Sequence, residues 1–220
     1  MTRLLLASAS PARRASLTAA GLAPLVAVSG VDEDAVLAAA RERFGDLEPA
    51  DAVLVLAQAK AEDVARRLDE LDVEGWQDED VVVLGCDSML ELDGEVLGKP
   101  VDAQDAVARW QAMRGRSGVL HTGHWLVDER DPADGGTRAT LGATASTVVH
   151  FADLSDDEIA AYVATREPLT VAGAFTIDGL GGPFVERIEG DHHTVVGVSL
   201  PLLRHLLADI DLTVPALWQR

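Results

Sequence analysis

The stretch LLLASASPARR, Leu4 to Arg14, sets two serines and two arginines around the first turn of an expected helix. Ser10 suits the N-cap and Pro11 the first helical position, where its missing N–H costs nothing. Arg13 and Arg14 then put positive charge at the end of the helix dipole that disfavours it. Free amides, serine hydroxyls and arginine forks together make a place for a phosphate. The plain alternative is a surface helix whose arginines are solvated. The glycines and lysine of a Walker loop are absent.

A second candidate is Asp87 in VVVLGCDSM, read as lying directly after a buried strand. Ligands of α/β sheets gather outside the carboxyl ends of strands, and an aspartate there can hold a divalent metal or take a proton from water. The alternative is a turn or N-cap aspartate. Its neighbour Cys86 reads as inert strand packing, since no basic activating neighbour is visible nearby in the sequence. An aspartyl-nucleophile phosphatase would need a second aspartate two residues on, where this chain has Met89.

Only two of the 18 basic residues are lysines, Lys60 and Lys99. Lys60 shares a helix face with residues 53, 57 and 64, so it aims inward and either snorkels or meets an anion. Lys99 ends a hairpin between Gly98 and Pro100, where a solvated loop lysine is the ordinary reading. In GVDED, Asp32, Glu33 and Asp34 stand at a strand-to-helix junction, as helix-start stabilisation or as a source of a metal carboxylate. GAFTIDGLGG surrounds Asp178 with glycines, which suits close backbone approach to a ligand or a plain turn. The two histidines of Asp191–His193 lack further ligand spacing and read as a turn.

These residues need elements to hold them. Leu4–Ala7 reads as a short buried strand, followed by a helix from Pro11 to about Ala20 that Gly21 ends. Leu25–Ser29 reads as a strand, Asp34–Phe44 as a helix stopped by Gly45, and Pro49 to about Leu71 as a long helix. Gly75–Asp80 is an acidic loop. Val81–Cys86 is an apolar run of the kind buried on both faces. SMLELDGEVLG reads as a hairpin turning at Asp93-Gly94, a pair suited to a type I′ turn. Asp102–Met113 is helical, Val119–Val127 and Thr140–Phe151 are strands, and Asp128–Gly136 is a polar turn. Ser155–Glu158 is a capping box opening a helix to about Thr165. Phe184–Ile188 and Thr194–Val198 read as strands about a turn, and a last helix follows Pro201. Helices interleaved with strands and hairpins predict an α/β fold with a mixed sheet.

The bulk numbers narrow the function. A formal net charge of −19 argues against non-specific binding to nucleic acid or to an anionic membrane. It leaves room for a small anionic substrate held by a local cluster of cations. The longest apolar runs are far short of a membrane span, and the apolar N-terminus has no basic leader. A single cysteine excludes an intrachain disulfide framework and suits a reducing compartment, so a cytoplasmic protein is expected.

Taken together, LLLASASPARRASLTAAGL, VDE, AQAKA, GCDSMLELDGEVLGKP, TGHWLV, YVATREPLTVAGAFTIDGLGGPFVERIEG and VVGVSLPLLRHLL resemble the Maf family of nucleoside triphosphate pyrophosphatases. They run in family order from about residue 3 to 207, so one domain of this kind fills the chain and leaves a tail over 208–220. The resemblance implies an elongated α/β fold, a mixed twisted sheet flanked by helices with two lobes around a deep cleft, similar to the inosine-triphosphate pyrophosphatases. It implies hydrolysis of a nucleoside triphosphate, modified nucleotides included, to the monophosphate and pyrophosphate. A divalent cation, Mg²⁺ or Mn²⁺, is the implied cofactor and a homodimer the implied assembly.

By the same resemblance Asp87 is the proton acceptor for the attacking water. Ser8, Ser10 and Arg13 match the phosphate-binding loop, Lys60 and Lys99 face the triphosphate, and Glu33 with Asp87 is implied for the metal. Subclasses preferring thymidine and uridine triphosphates carry arginine, threonine and glutamine where this chain has Ala12, Ser88 and Asp178. The 7-methylguanosine subclass carries tryptophan, glutamine and glutamate there. This chain matches neither set, and Arg14 beside Ala12 is the candidate to replace the missing arginine. Two further readings compete: a nucleotide-binding regulator of cell division with little turnover, and a phosphomonoesterase.

Overall fold

A computed structural model describes residues 2–74, 76 and 80–218. Its elements alternate as the sequence predicts. Strand β1 (Arg3–Leu6) leads to helix α1 (Pro11–Ala19), the two-residue strand β2 (Leu25–Val26), and helices α2 (Glu33–Phe44) and α3 (Pro49–Arg66). Strands β3 (Val81–Leu92) and β4 (Glu95–Leu97) precede helix α4 (Ala103–Met113). Strands β5 (Ser117–Asp128) and β6 (Thr140–Phe151), helix α5 (Asp156–Ala164), strand β7 (Val185–Glu189) and helices α6 (His192–Val196) and α7 (Leu200–Ala208) complete the chain. The seven strands form one mixed sheet in the order β2-β1-β3-β5-β6-β7, with β4 paired to β3. β1 is parallel to both β2 and β3, while β4 is antiparallel to β3 and β7 antiparallel to β6.

The chain divides into two compact units. The first comprises Met1–Asp87, Thr122–Ala145 and Gly197–Arg220, and the second Ser88–His121 and Ser146–Val196. In the first, the two-residue period of a strand explains the continuous apolar runs of β1 and β3. Leu4, Leu6, Val82, Leu84 and Cys86 pack with Leu17 of α1 and Leu203 of α7. Leu5, Val81 and Val83, alternating with them, pack with Ala61 and Val64 of α3 on the other face. The second unit has its own core around the fully buried Trp110, whose ring meets Phe151 and Tyr162 edge-on.

Several local expectations hold. Ser10 caps α1 and accepts from the Arg13 amide, the capping box at Ser155–Glu158 is formed, and Asp93 and Gly94 both have positive φ in the β3–β4 turn. Three differ. The run Leu25–Ser29 is a strand only at Leu25 and Val26, which pair with Leu5 and Leu6; β1 ends there, and the Ala27 amide bonds back to the Leu6 carbonyl at 3.1 Å. Thr194–Val198 is not a strand: residues 192–196 form α6. The side chain of Asp191 accepts from the His193 amide and the Thr194 hydroxyl, and this turn overrides the β preference of Thr-Val-Val. Asp87 lies inside β3, not after it. The acidic loop Gly75–Asp80 lies mostly outside the described residues.

Candidate active site

The site is built where β3 outruns β1. β1 ends at Leu6, opposite Leu84, so Asp87 stands three residues beyond the carboxyl end of the parallel pairing. That is where ligands of such sheets are expected. Residues 81, 83, 85 and 87 of β3 share the face covered by α3. At Gly85 the helix comes very close: a Cβ there would lie 2.8 Å from the Ala61 amide nitrogen and closer still to the Ala57 carbonyl oxygen. Gly123 on β5 does the same under Val53, where a Cβ would stand 2.7 Å from the Leu54 nitrogen. Two strand glycines and two helix alanines thus seat α3 against the sheet. The Thr144 hydroxyl fastens its first turn by donating to the Ala50 carbonyl at 2.7 Å.

That seating delivers Lys60, which lies between Ala57 and Ala61. Its Nζ donates to Asp87 Oδ1 at 2.5 Å and pairs with Glu33 Oε1 at 2.7 Å. Lys60 is 9% exposed and Asp87 7%, while the Glu33 side chain is half exposed. The inward lysine therefore meets anions, and they are carboxylates of the chain itself. Burial pushes the Asp87 carboxyl above its ordinary range, against the pull of Lys60 and Arg13, with Glu33 adding to the rise. Burial also drives the Cys86 thiol up to about 12, so it stays protonated and inert, as its strand position suggests.

The first turn of α1 is tied to the same strand. Arg13 Nη1 donates to the Cys86 carbonyl at 2.9 Å and to Ser8 Oγ at 3.1 Å, and Nε donates to the Gly197 carbonyl at 2.8 Å. Ser8 Oγ also accepts from the Ser10 amide at 3.2 Å. The charge that opposes the α1 dipole is thus bonded to the Cys86 carbonyl, next to Asp87, and to the Gly197 carbonyl. Arg14 is exposed and Ala12 is half-buried.

The remaining candidates belong to the second unit. Ser88 is half-buried on β3 and Lys99 exposed after β4. The loop of Lys99 is fixed by Arg109, whose Nη1 donates to the Gly98 carbonyl at 2.6 Å, and Gly98 also accepts from the Gly173 amide at 3.1 Å. Asp178 is exposed in the loop between α5 and β7. Sequence reasoning missed Gly85, Gly123 and Glu167, the last of which binds the Asp178 loop. The signal for the first two was a glycine interrupting an apolar strand, a mark of close backbone approach.

The sequence matches the family described as Maf-like protein over residues 3–210. The chain belongs to the Maf-like family. Among similar curated proteins, one from Salinispora tropica is 60% identical over 218 residues, covering 99% of this chain and 88% of its own. One from Streptomyces coelicolor is 54% identical, covering 98% and 94%, and one from Rhodococcus erythropolis is 50% identical, covering 100% and 98%. All three carry the name nucleoside triphosphate pyrophosphatase.

Among the described residues no group of three or more His, Cys, Asp or Glu could hold a metal ion. Asp87 and Glu33 do converge, both meeting one Nζ. Two carboxylates suit Mg²⁺, which is usually held by one or two of them together with substrate phosphates. Among the described residues no helix is long and apolar enough to cross a membrane.

Proposed function

We propose that the chain is a nucleoside triphosphate pyrophosphatase in which Asp87 activates water for attack at the α-phosphorus. The observation that carries this is the buried Lys60–Asp87 pair beyond the end of β1, with Glu33 on the same ammonium. The names of the similar proteins support the reaction class. Lys60 pairs with Oδ1 and orients the carboxylate, leaving Oδ2 to take the proton. The water oxygen bonds to the α-phosphorus, the bridge to the β-phosphate breaks, and pyrophosphate leaves with the bridging oxygen. A divalent cation held by Asp87 and Glu33 would supply charge neutralisation on the phosphate oxygens. Ser8, Ser10, Arg13, Arg14, Lys60 and Lys99 bind the phosphate chain. Burial raises the Asp87 carboxyl above its ordinary value and so makes it the stronger base for that proton.

Ala12, Ser88 and Asp178 are the residues we assign to base choice. A carboxylate only accepts hydrogen bonds. Asp178 therefore favours a base that presents adjacent N–H donors, as guanine does, over uracil or thymine, whose carbonyls would oppose it. The test is product analysis with Mg²⁺ or Mn²⁺ and a panel of triphosphates. Monophosphate plus pyrophosphate is expected, with Asp87→Asn slower by about 10²–10⁴-fold. Nucleotide binding without turnover would favour a regulator, and orthophosphate released from a monophosphate would favour a phosphomonoesterase.

A further inference from the structure

Residues 176–181 close on one carboxylate from outside the loop, that of Glu167. Its Oε1 accepts from the Thr176 hydroxyl at 2.5 Å, the Tyr162 hydroxyl at 3.0 Å and the Gly181 amide at 3.1 Å. Its Oε2 accepts from the Leu180 amide at 3.1 Å. The Thr176 amide in turn donates to the Tyr162 hydroxyl at 3.2 Å. Both ends of the loop therefore meet at Glu167, and Asp178 stands exposed between them.

The glycines of this loop fit the same clamp. A Cβ on Gly179 would lie 2.7 Å from Glu167 Oε2 and from Thr176 Oγ1. A Cβ on Gly181 would lie 2.6 Å from the Thr176 carbonyl oxygen and closer to the Tyr162 hydroxyl. Gly181 has φ −77°, so space and not backbone handedness requires glycine there. The glycine-rich run thus has a reason inside the protein, where the sequence offered either approach to a ligand or a plain turn. Arg166, directly before Glu167, takes φ 68°, a conformation disfavoured for a residue with a side chain. Burial works to raise the Glu167 pKa, yet the hydrogen bonds from Thr176, Leu180, Tyr162 and Gly181 outweigh it and hold the group ionised below its ordinary value.

We infer that Glu167 is a specificity-positioning residue, whose carboxylate fixes the 176–181 loop so that Asp178 meets the nucleobase from one place. The inference rests on the assignment of Asp178 to base choice. Glutamine at position 167 keeps the size but has one acceptor oxygen, so its NH₂ faces either Leu180 N–H or the three donors of Oε1.

The test measures kcat and KM of the full chain with Mg²⁺ on GTP and on UTP, for the parent, Glu167→Gln and Asp178→Asn. The GTP-to-UTP ratio of kcat/KM should move in Glu167→Gln by at least about fivefold toward the Asp178→Asn value, the size of one ordinary hydrogen bond. The change should fall mainly in KM for the favoured base. A uniform loss on both substrates with an unchanged ratio, while Asp178→Asn shifts it, overturns the clamp and leaves the base assignment standing. A ratio unmoved in both variants overturns the base assignment and the clamp with it. If Glu167→Gln fails to fold, Tyr162→Phe removes one donor to Glu167 together with the acceptor of the Thr176 amide. Faster amide exchange at Leu180 and Gly181 with a smaller ratio shift of the same sign then supports the inference, and faster exchange with no shift overturns it.

Discussion

Replacing Gly85 by alanine should damage stability and catalysis together, because one close approach serves both. The added Cβ would lie 2.8 Å from the Ala61 nitrogen and closer to the Ala57 oxygen, where ordinary contact begins at 3.4 Å. The helix must retreat by about 0.6 Å at Ala61, from 3.4 minus 2.8, and by more at Ala57. Both obstacles are backbone atoms or fixed to them, so no side-chain rotation relieves the clash. Overpacking of this kind costs about 1–3 kcal/mol. At about 2–4 °C per kcal/mol for a chain of this size, the melting temperature should fall by about 2–12 °C. Lys60 lies between the two displaced residues, so its 2.5 Å bond to Asp87 opens. A misplacement approaching an ångström can cost about 10²-fold in rate, so a drop of about 10–100-fold in kcat is expected. Thermal unfolding and a pyrophosphate-release assay read the two effects. Gly30→Ala, where a Cβ meets nothing within 4 Å, is the control for loss of a glycine as such. A Gly85→Ala protein with the parent's melting temperature and rate would refute the argument that backbone proximity sets the Lys60–Asp87 geometry.

Other outcomes follow from the polar core of the first unit. Asp128 is fully buried and holds Arg130 by two bonds, Nε to Oδ1 at 2.7 Å and Nη2 to Oδ2 at 2.8 Å, with Thr137 on Oδ2. Burial alone would raise its pKa, but these bonds bring it down to about 2. A depressed carboxyl contributes stability above pH 3.8 that is lost as pH falls through 2. Urea unfolding from pH 5 to 2 should lose about 2 kcal/mol from this group. Asp128→Ala should cost about 3–5 kcal/mol at neutral pH, since it strands the buried Arg130. His124 donates from Nδ1 to the Thr122 carbonyl at 3.0 Å and accepts the Ser199 amide on Nε2 at 2.7 Å, because a carbonyl can only accept and an amide only donate. His124→Ala leaves the buried amide at the start of α7 unpaired and should cost about 1–3 kcal/mol in the same assay, before cavity effects.

What the sequence made legible was whatever local chemistry decides. The Ser10 cap, the Ser155–Glu158 box and the Asp93-Gly94 turn each depend on a few adjacent residues, and each is present. Thr140–Phe151 matches its strand at both ends. Failures came where a distant partner decides. β3 continues through Asp87 to Leu92, paired at its end with β4, and the break in the apolar run at Gly85–Asp87 hid that continuity. α6 replaced a β-branched strand pattern because Asp191 caps it, its own carbonyl bonded to Thr147, 44 residues away. Within the site, an inward Lys60 is readable from helical spacing, but its two carboxylate partners are not, since each lies 27 residues from it along the chain. Glu167 carried no signal at all, because its four donors come from a helix and a loop that only the fold brings together.

In the proposed reaction, water activated at Asp87 attacks the α-phosphorus. Turnover in water enriched in the heavy oxygen isotope tests this directly, with mass spectrometry of both products after a single passage. The label should appear in the nucleoside monophosphate, with unlabelled pyrophosphate. Label in pyrophosphate, or in released orthophosphate, would place the attack on the β- or γ-phosphorus and contradict the account.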